Sequence, residues 1–404
     1  MEESCVFLQS GGPTCVINST LQGLIETALN QKEIDNIYGS LYGIDGLIND
    51  NLIDLRQEDI KQIRLLRQTP GAILGTTRHI LSSDFNDKEY LAIKDCIIKH
   101  NIHYIFIIGG NDSMDTCNKL SLFFQKQEYK CSVIGLPKTI DNDLIMIDHA
   151  PGYGSAIKYI SNVFSNIECD TSSYDKGRVT IIEIMGRDAG WLTAGSKLAS
   201  LDNIGPDLIY LPEVAFDLNK FLKDVKKIYD KKHKVIVAVS EGIIDKEGNY
   251  ILNLYKYLAN NDVFGHQQLG GVSNVLANIV KERLNIPVRA IELNLMQRCD
   301  IINSSLTDID EAYNLGCYSI KQALSGLNGK MVGYDENHII TTFDLNEVAN
   351  KVKHFPIEWI KNGNDIKKDF IKYAKPLIKG QNKIFYKNGL VKHAIFKKIK
   401  IWSD

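Results

Sequence analysis

Short β-branched and aromatic runs recur along this chain, each ending in a glycine-containing or polar loop and most followed by a helix-length amphipathic segment. Val6-Phe7-Leu8 leads into Ser10-Gly11-Gly12 and a helical pattern from about Cys15 to Asn30. Tyr104-Ile105-Phe106-Ile107-Ile108 leads into Gly109-Gly110-Asn111-Asp112-Ser113, then a helix over about Met114 to Phe124. Cys131 to Leu136 opens onto Pro137-Lys138-Thr139-Ile140-Asp141-Asn142-Asp143. Val179 to Ile184 runs into Met185-Gly186-Arg187, and Val235 to Val239 into Ser240-Glu241-Gly242; Val288 to Leu293 reads as one more strand. Strand–loop–helix units in series predict mostly parallel sheets with helices on both faces, and continuous apolar strands fit sheets covered on both sides. In that class, ligands bind in loops at the carboxyl ends of strands.

The remaining composition narrows the function. A chain of 404 residues can form two or more domains, and a formal net charge of -2 argues against a nucleic-acid or membrane-surface role. No apolar run approaches the ~20 residues of a membrane span, and the N-terminus enters a strand without a signal-peptide pattern. The eight cysteines (Cys5, Cys15, Cys96, Cys117, Cys131, Cys169, Cys299 and Cys317) form no Cys-x-x-Cys pair. That usage predicts reduced, buried thiols in a cytoplasmic protein rather than a zinc site or disulfide scaffold. From about Asn346 the chain is Lys-rich and weakly patterned, and reads as an extension packed on the body.

The loops divide by chemistry. Two Gly-Gly turns after strands suit phosphate, because glycine exposes backbone amides and the following helix adds its positive end. They lack both the dinucleotide fingerprint and a Walker lysine, so an NAD-type module is disfavoured. An acid at Asp112 either caps a helix or meets a metal. In the loop after Leu136, extended backbone would point Asp141 and Asp143 to one side, as base and metal ligand, with Lys138 as a compact charge for a phosphoryl group. Arg78, Arg178, Arg187, Arg289 and Arg298 lie in loops or at strand ends, where guanidinium suits phosphate, although any single one is more often a solvated surface charge. Glu241 suits sugar hydroxyls or a helix start. His266 has no acid or nucleophile near it in sequence and reads as a loop hydrogen-bonding residue.

Taken in order from Ser10 to about Arg298, these loops resemble the phosphofructokinase superfamily, in particular its pyrophosphate-dependent members. The resemblance implies two Rossmann-like α/β/α domains: 1–152 with about 297–345 for the phosphoryl donor, and 153–296 for fructose 6-phosphate, followed by the extension 346–404. It implies Mg²⁺-dependent, reversible transfer of a phosphoryl group to the sugar 1-hydroxyl, in glycolysis or gluconeogenesis. Asp141 would be the base, assisted by Thr139. Gly12, Arg78, Asp112 and Lys138 would meet pyrophosphate, with Asn18 in the first phosphate loop. Asn111 and Asp143 would meet the metal, Asn111 standing where many members have an acid. Thr139, Ile140, Asp141, Met185, Gly186, Arg187 and Glu241 would contact the sugar, and Arg178, Arg289 and Arg298 its 6-phosphate. In the family, the equivalents of Arg178 and Arg289 come from a neighbouring subunit, which implies a homodimer or homotetramer. Leu295 replaces a substrate-contacting histidine of ATP-using members.

Two positions speak to the donor. ATP-using bacterial members have glycine where this chain has Asp112 and Lys138. A carboxylate at Asp112 repels and obstructs the α-phosphate of ATP, and Lys138 restores positive charge on the transferring group. An ATP-dependent enzyme of the same fold and a non-catalytic regulatory subunit are the alternatives.

Overall fold

β6 (Val179–Ile184) and β8 (Val235–Ser240) are buried at every residue, as unbroken β-branched runs require of strands covered on both faces. They form the centre of a four-stranded, wholly parallel sheet, ordered β11 (Val288–Glu292), β6, β8, β7 (Leu208–Tyr210). A second, seven-stranded sheet is built from β1 (Glu3–Gln9), β2 (Ile34–Ser40), β3 (Leu52–Asp54), β4 (Ile102–Gly109), β5 (Ser132–Pro137), β12 (Lys330–Tyr334) and β13 (Ile340–Asp344). Its order is β13-β12-β5-β4-β1-β2-β3, parallel except at its two edge pairs. A two-residue antiparallel pair, β9 (Asn260–Asn261) with β10 (Gln267–Gln268), lies apart from both sheets. The architecture is the α/β fold of two mostly parallel sheets that the alternating pattern predicts. This computed structural model describes residues 3–202, 204–254, 260–261, 267–268 and 271–401, with backbone alone at 254, 260–261 and 267–268. His266 lies outside the described residues.

In the large sheet the chain runs from β1 to β2 on one side and places β4 and β5 on the other. The crevice at the carboxyl ends of β1 and β4 is therefore a topological switch point, where open α/β sheets bind ligands. Residues 10–12, 110–112 and 138–143 follow the carboxyl ends of β1, β4 and β5. Loops 185–187 and 241–242 leave those of β6 and β8.

Three sequence expectations need adjustment. The helix after β4 spans Asn111–Lys126, so Asn111 and Asp112 occupy its first turn rather than a preceding loop. Gly110 takes the cap position there, and a glycine start needs no side chain to begin a helix. The segment 141–143 is not extended, because Asn142 adopts a left-handed conformation at φ 53° and turns the chain. The extension is also more ordered than its weak pattern suggests. Its helix Lys368–Leu377 buries Phe370, Ala374 and Leu377 beside Trp191 and Phe164, and Phe396 joins the core under the large sheet.

Among the described residues no helix is long and apolar enough to cross a membrane. All eight cysteines are unpaired, and burial raises the pKa of Cys5, Cys15, Cys117 and Cys131 well above the usual thiol range. They pack as small apolar groups.

Candidate active site

Lys138 follows β5 directly and is 3% exposed. Its Nζ donates to the Gly12 carbonyl at 2.6 Å, which ties the loop after β5 to the loop after β1. A Cβ at Gly12 would lie 3.0 Å from the Arg298 guanidinium, so Arg298 comes close to the same turn. Burial lowers the Lys138 pKa to about 8; Asp143 and Asp141 oppose that, while Arg298 and Arg78 reinforce it. The pKa of Arg298 is likewise lowered, by burial first and then by Arg78. Three cations thus act on one another, and two carboxylates act on Lys138. Like charges gathered in a poorly solvated cleft favour a multiply charged anion.

Arg78 reaches this group because its loop is laced to the first. Gly11 N donates to the Thr77 carbonyl at 3.0 Å, and Thr76 Oγ1 to the Gly11 carbonyl at 2.7 Å. The next residue, His79, is clamped between Asp45 (2.9 Å) and Glu89 (3.1 Å). Asn18, expected with the phosphate loop, is spent on protein contacts. It donates to the Thr69 carbonyl and accepts from Gln9 and the Ile73 amide, so it shapes the approach to Gly75.

Asp141 is strongly perturbed. Burial raises its pKa to about 7, with Asp143 and Glu241 adding to the rise and Lys138 opposing it. A carboxyl titrating near neutrality is suited to proton abstraction. Its own amide donates to Thr139 Oγ1 at 3.1 Å. The pKa of Asp143 is also raised, by burial first, against hydrogen bonds from Thr139, its own backbone and Asn111. Asn111 Nδ2 donates to Asp143 Oδ2 at 3.3 Å, while Asn111 Oδ1 and Asp143 Oδ1 are buried without a partner. Two orphaned oxygens on neighbouring side chains match a hard divalent cation with oxygen ligands. Asp112 stands exposed in the same first helical turn, where an acid also offsets the helix dipole.

The small sheet supplies the opposite wall. Glu241 Oε1 accepts from Gly186 N at 3.2 Å, and burial raises the Glu241 pKa despite that bond and the Arg187 charge. Gly242 permits the contact, since a Cβ there would lie 1.9 Å from the Arg187 carbonyl. Gln297 Oε1 accepts from Met185 N at 3.3 Å, and its Nε2 is buried without a partner. Ile140 is buried in the core shared with Trp191.

Arg178 and Arg289 are brought together, but elsewhere. Arg178 precedes β6 and Arg289 is opposite Thr180 on β11, so both lie at the amino ends of their strands. Six residues of β6, roughly 20 Å of strand, separate them from Met185. They line a cavity of about 190 Å³ with Asn166 and Asp170, and the Arg178 guanidinium lies 5.2 Å from the centre of the exposed Tyr174 ring. Within one chain they are remote from Asp141.

The family model for phosphofructokinase matches residues 4–321, which include every loop described above. The chain belongs to the phosphofructokinase family. It is 35% identical over 383 residues to a protein of Rhodospirillum rubrum named pyrophosphate–fructose 6-phosphate 1-phosphotransferase, covering 92% of this chain and 93% of that one. A protein of the same name from Halomonas elongata is 34% identical over 99% of this chain and 97% of its own. Among solved structures, the pyrophosphate-dependent phosphofructokinase of Nitrosospira multiformis superposes with a TM-score of 0.90 at 32% identity, covering 100% of this chain and 99% of that one.

Sequence reading missed His79, Asn142, Lys353 and Tyr373 as site-shaping residues of this phosphofructokinase. A histidine flanking Arg78 and an asparagine between two aspartates were visible but unremarkable. Lys353 and Tyr373 sit in a Lys-rich segment with no local signal of any kind.

Proposed function

We propose that the protein transfers a phosphoryl group from pyrophosphate to the 1-hydroxyl of fructose 6-phosphate, giving fructose 1,6-bisphosphate and phosphate. The observation that carries this reading is Lys138, buried against Gly12 and under the charges of Asp143, Asp141, Arg298 and Arg78. Asp141 takes the hydroxyl proton as the oxygen attacks. Lys138 and Arg78 hold the transferring phosphoryl and the departing phosphate, offsetting charge that develops in the transition state. Arg298, Met185, Gly186, Arg187 and Glu241 hold the sugar phosphate. Mg²⁺, held by Asn111 Oδ1 and Asp143 Oδ1, would supply charge neutralisation for the donor oxygens. Pyrophosphate brings no nucleoside to bind remotely, so charge at the reacting centre takes a larger share of recognition. With eight free thiols, five of them buried and Cys169 exposed, the cytoplasm is the fitting compartment.

Pyrophosphate and ATP compared as donors in one coupled assay test this directly. Turnover with pyrophosphate is expected, and turnover with ATP alone overturns the donor. Asp112→Gly is expected to admit ATP, raising ATP-dependent kcat/KM by at least about tenfold, because a carboxylate no longer opposes the α-phosphate. An unchanged ATP rate refutes the repulsion argument.

We further propose that Arg178 and Arg289 complete the sugar-phosphate site of a second copy of this chain. Their distance from Asp141 within the chain supports that reading. Arg178→Ala and Asp141→Asn variants, each inactive alone, should recover part of the wild-type rate when mixed under exchange conditions. No recovery in a verified mixed oligomer removes the shared site.

A further inference from the structure

Residues 352–355 of the C-terminal extension touch both walls of the site. Val352 forms a bridge with Leu144, and Lys353 N donates to the Asp143 carbonyl at 2.7 Å, so the extension lies as a short antiparallel strand along the end of the catalytic turn. The Lys353 ammonium reaches on to the carbonyls of Ile147, at 3.0 Å, and Asp148, and sits 4.9 Å from the centre of the Trp191 ring. One residue later, His354 Nδ1 bonds the Asp188 carbonyl at 2.9 Å, in the loop that carries Gly186 and Arg187. Phe355 N and Gly190 N both donate to Glu213 Oε1 at 2.8 Å.

Tyr373 closes the arrangement from the helix Lys368–Leu377. Its hydroxyl accepts from Asn142 Nδ2 at 2.9 Å and donates to the Asp148 carbonyl at 2.8 Å, and Asn142 Oδ1 accepts from Ala150 N at 3.0 Å. Asn142 is 1% exposed and left-handed, and it stands between Asp141 and Asp143. Its amide is therefore the handle by which the backbone carrying both carboxylates is held.

We propose that Val352–Phe355 and Tyr373 are positioning elements of the transfer site, setting the catalytic turn 139–150 against the sugar loop 186–190. None of them touches the reacting atoms. The role rests on the phosphoryl-transfer reading, and it gives the extension a catalytic purpose beyond covering apolar surface. Transfer in line demands close placement of base and acceptor, and a misplacement of about 1 Å can cost about 10²-fold in rate.

The test compares Tyr373→Phe, Asn142→Gly and the double variant of the full-length protein with Lys372→Ala, an exposed neighbour on the same helix. Glycine keeps the left-handed backbone at 142 and removes only the amide. Tyr373→Phe is expected to lower kcat by about ten- to a hundredfold, with KM for fructose 6-phosphate and pyrophosphate within about threefold. The double variant is expected to lose far less than the product of the two single losses, since both substitutions break the shared Asn142–Tyr373 bond and each removes only one further bond of its own. Amide hydrogen exchange over 141–150 should quicken in Tyr373→Phe and stay as in wild type in Lys372→Ala. A kcat within about twofold of wild type, losses that multiply in the double variant, or unchanged exchange would each overturn the proposal. A wild-type protein that does not turn over pyrophosphate and fructose 6-phosphate removes the reaction reading instead, and the exchange measurement then decides the positioning claim alone.

Discussion

Asp141→Asn is expected to lower kcat about 10³-fold, the scale on which a positioned general base acts, with little change in KM for fructose 6-phosphate. A base contributes in the transition state and hardly at all in the ground-state complex, so the loss falls on kcat. The wild-type enzyme should lose rate as pH falls through about 7, because the carboxylate must be ionised and burial holds its pKa there. Mg²⁺ held at Asn111 and Asp143, as proposed, would offset the neighbouring negative charge, so this acidic limb should move to lower pH as Mg²⁺ rises. Stability carries the opposite sign. The folded protein binds the Asp141 proton more tightly than the unfolded chain, so on this account stability falls as pH rises from about 4 to about 7. Without Mg²⁺ at pH 7.5, Asp141→Asn should therefore melt higher than wild type. Steady-state kinetics and a melting curve check both halves. A variant that keeps its rate, or melts well below wild type, contradicts the assignment.

Lys138→Met is expected to be the other severe substitution, lowering kcat with pyrophosphate by about 10²- to 10³-fold, the measured scale for one preorganised donor at developing charge. Its KM for pyrophosphate should also rise, since the ammonium meets the donor before transfer begins. Again stability should not follow activity. Burial lowers the Lys138 pKa from 10.5 to about 8, so holding the ion at neutral pH costs the fold roughly 3 kcal/mol. Methionine fills similar volume with no charge to desolvate, and the variant should melt at or above the wild-type temperature. A Lys138→Met protein that melts several degrees lower would mean that the Gly12 bond is primarily structural.

The two substitutions also separate what each residue type can do. Lys138 is costly to bury and Asp141 is costly to ionise, and each is tolerated because the other lies nearby. A site with only one of them would shift further and lose the working protonation state. Stability given up at these positions is consistent with a site organised for charge in flight.

Much of this was legible along the chain because the relevant signals are local. Unbroken runs such as Val235 to Val239 and polar loops such as 138–143 announce parallel strands and their carboxyl ends, and the chain rule that follows a strand with a loop and a helix places those loops on one edge. The identities of Asp141, Lys138 and Gly12 needed no partner to be noticed. The local signal failed where backbone conformation was decided from a distance. Extended geometry at 141–143 was the natural reading of alternating acids, yet Asn142 turns left-handed because Tyr373 and Ala150 capture its side chain. Asn111 looked like loop and proved to be the first residue of a helix, where its side-chain amide nitrogen donates to Asp143 across 32 residues.

The sequence by itself determined the class of fold and the edge on which the candidate residues sit, because strand, turn and helix preferences act over a few residues. Only the tertiary structure decided which charges share a space: Lys138 with Gly12 and Arg298, Asn111 with Asp143, Arg178 with Arg289 at the far end of a strand, and Lys353 with the catalytic turn. Those pairings depend on sheet order and on how the last sixty or so residues pack back over both sheets, and burial and Coulomb energies at such sites are set by neighbours that are distant in the chain.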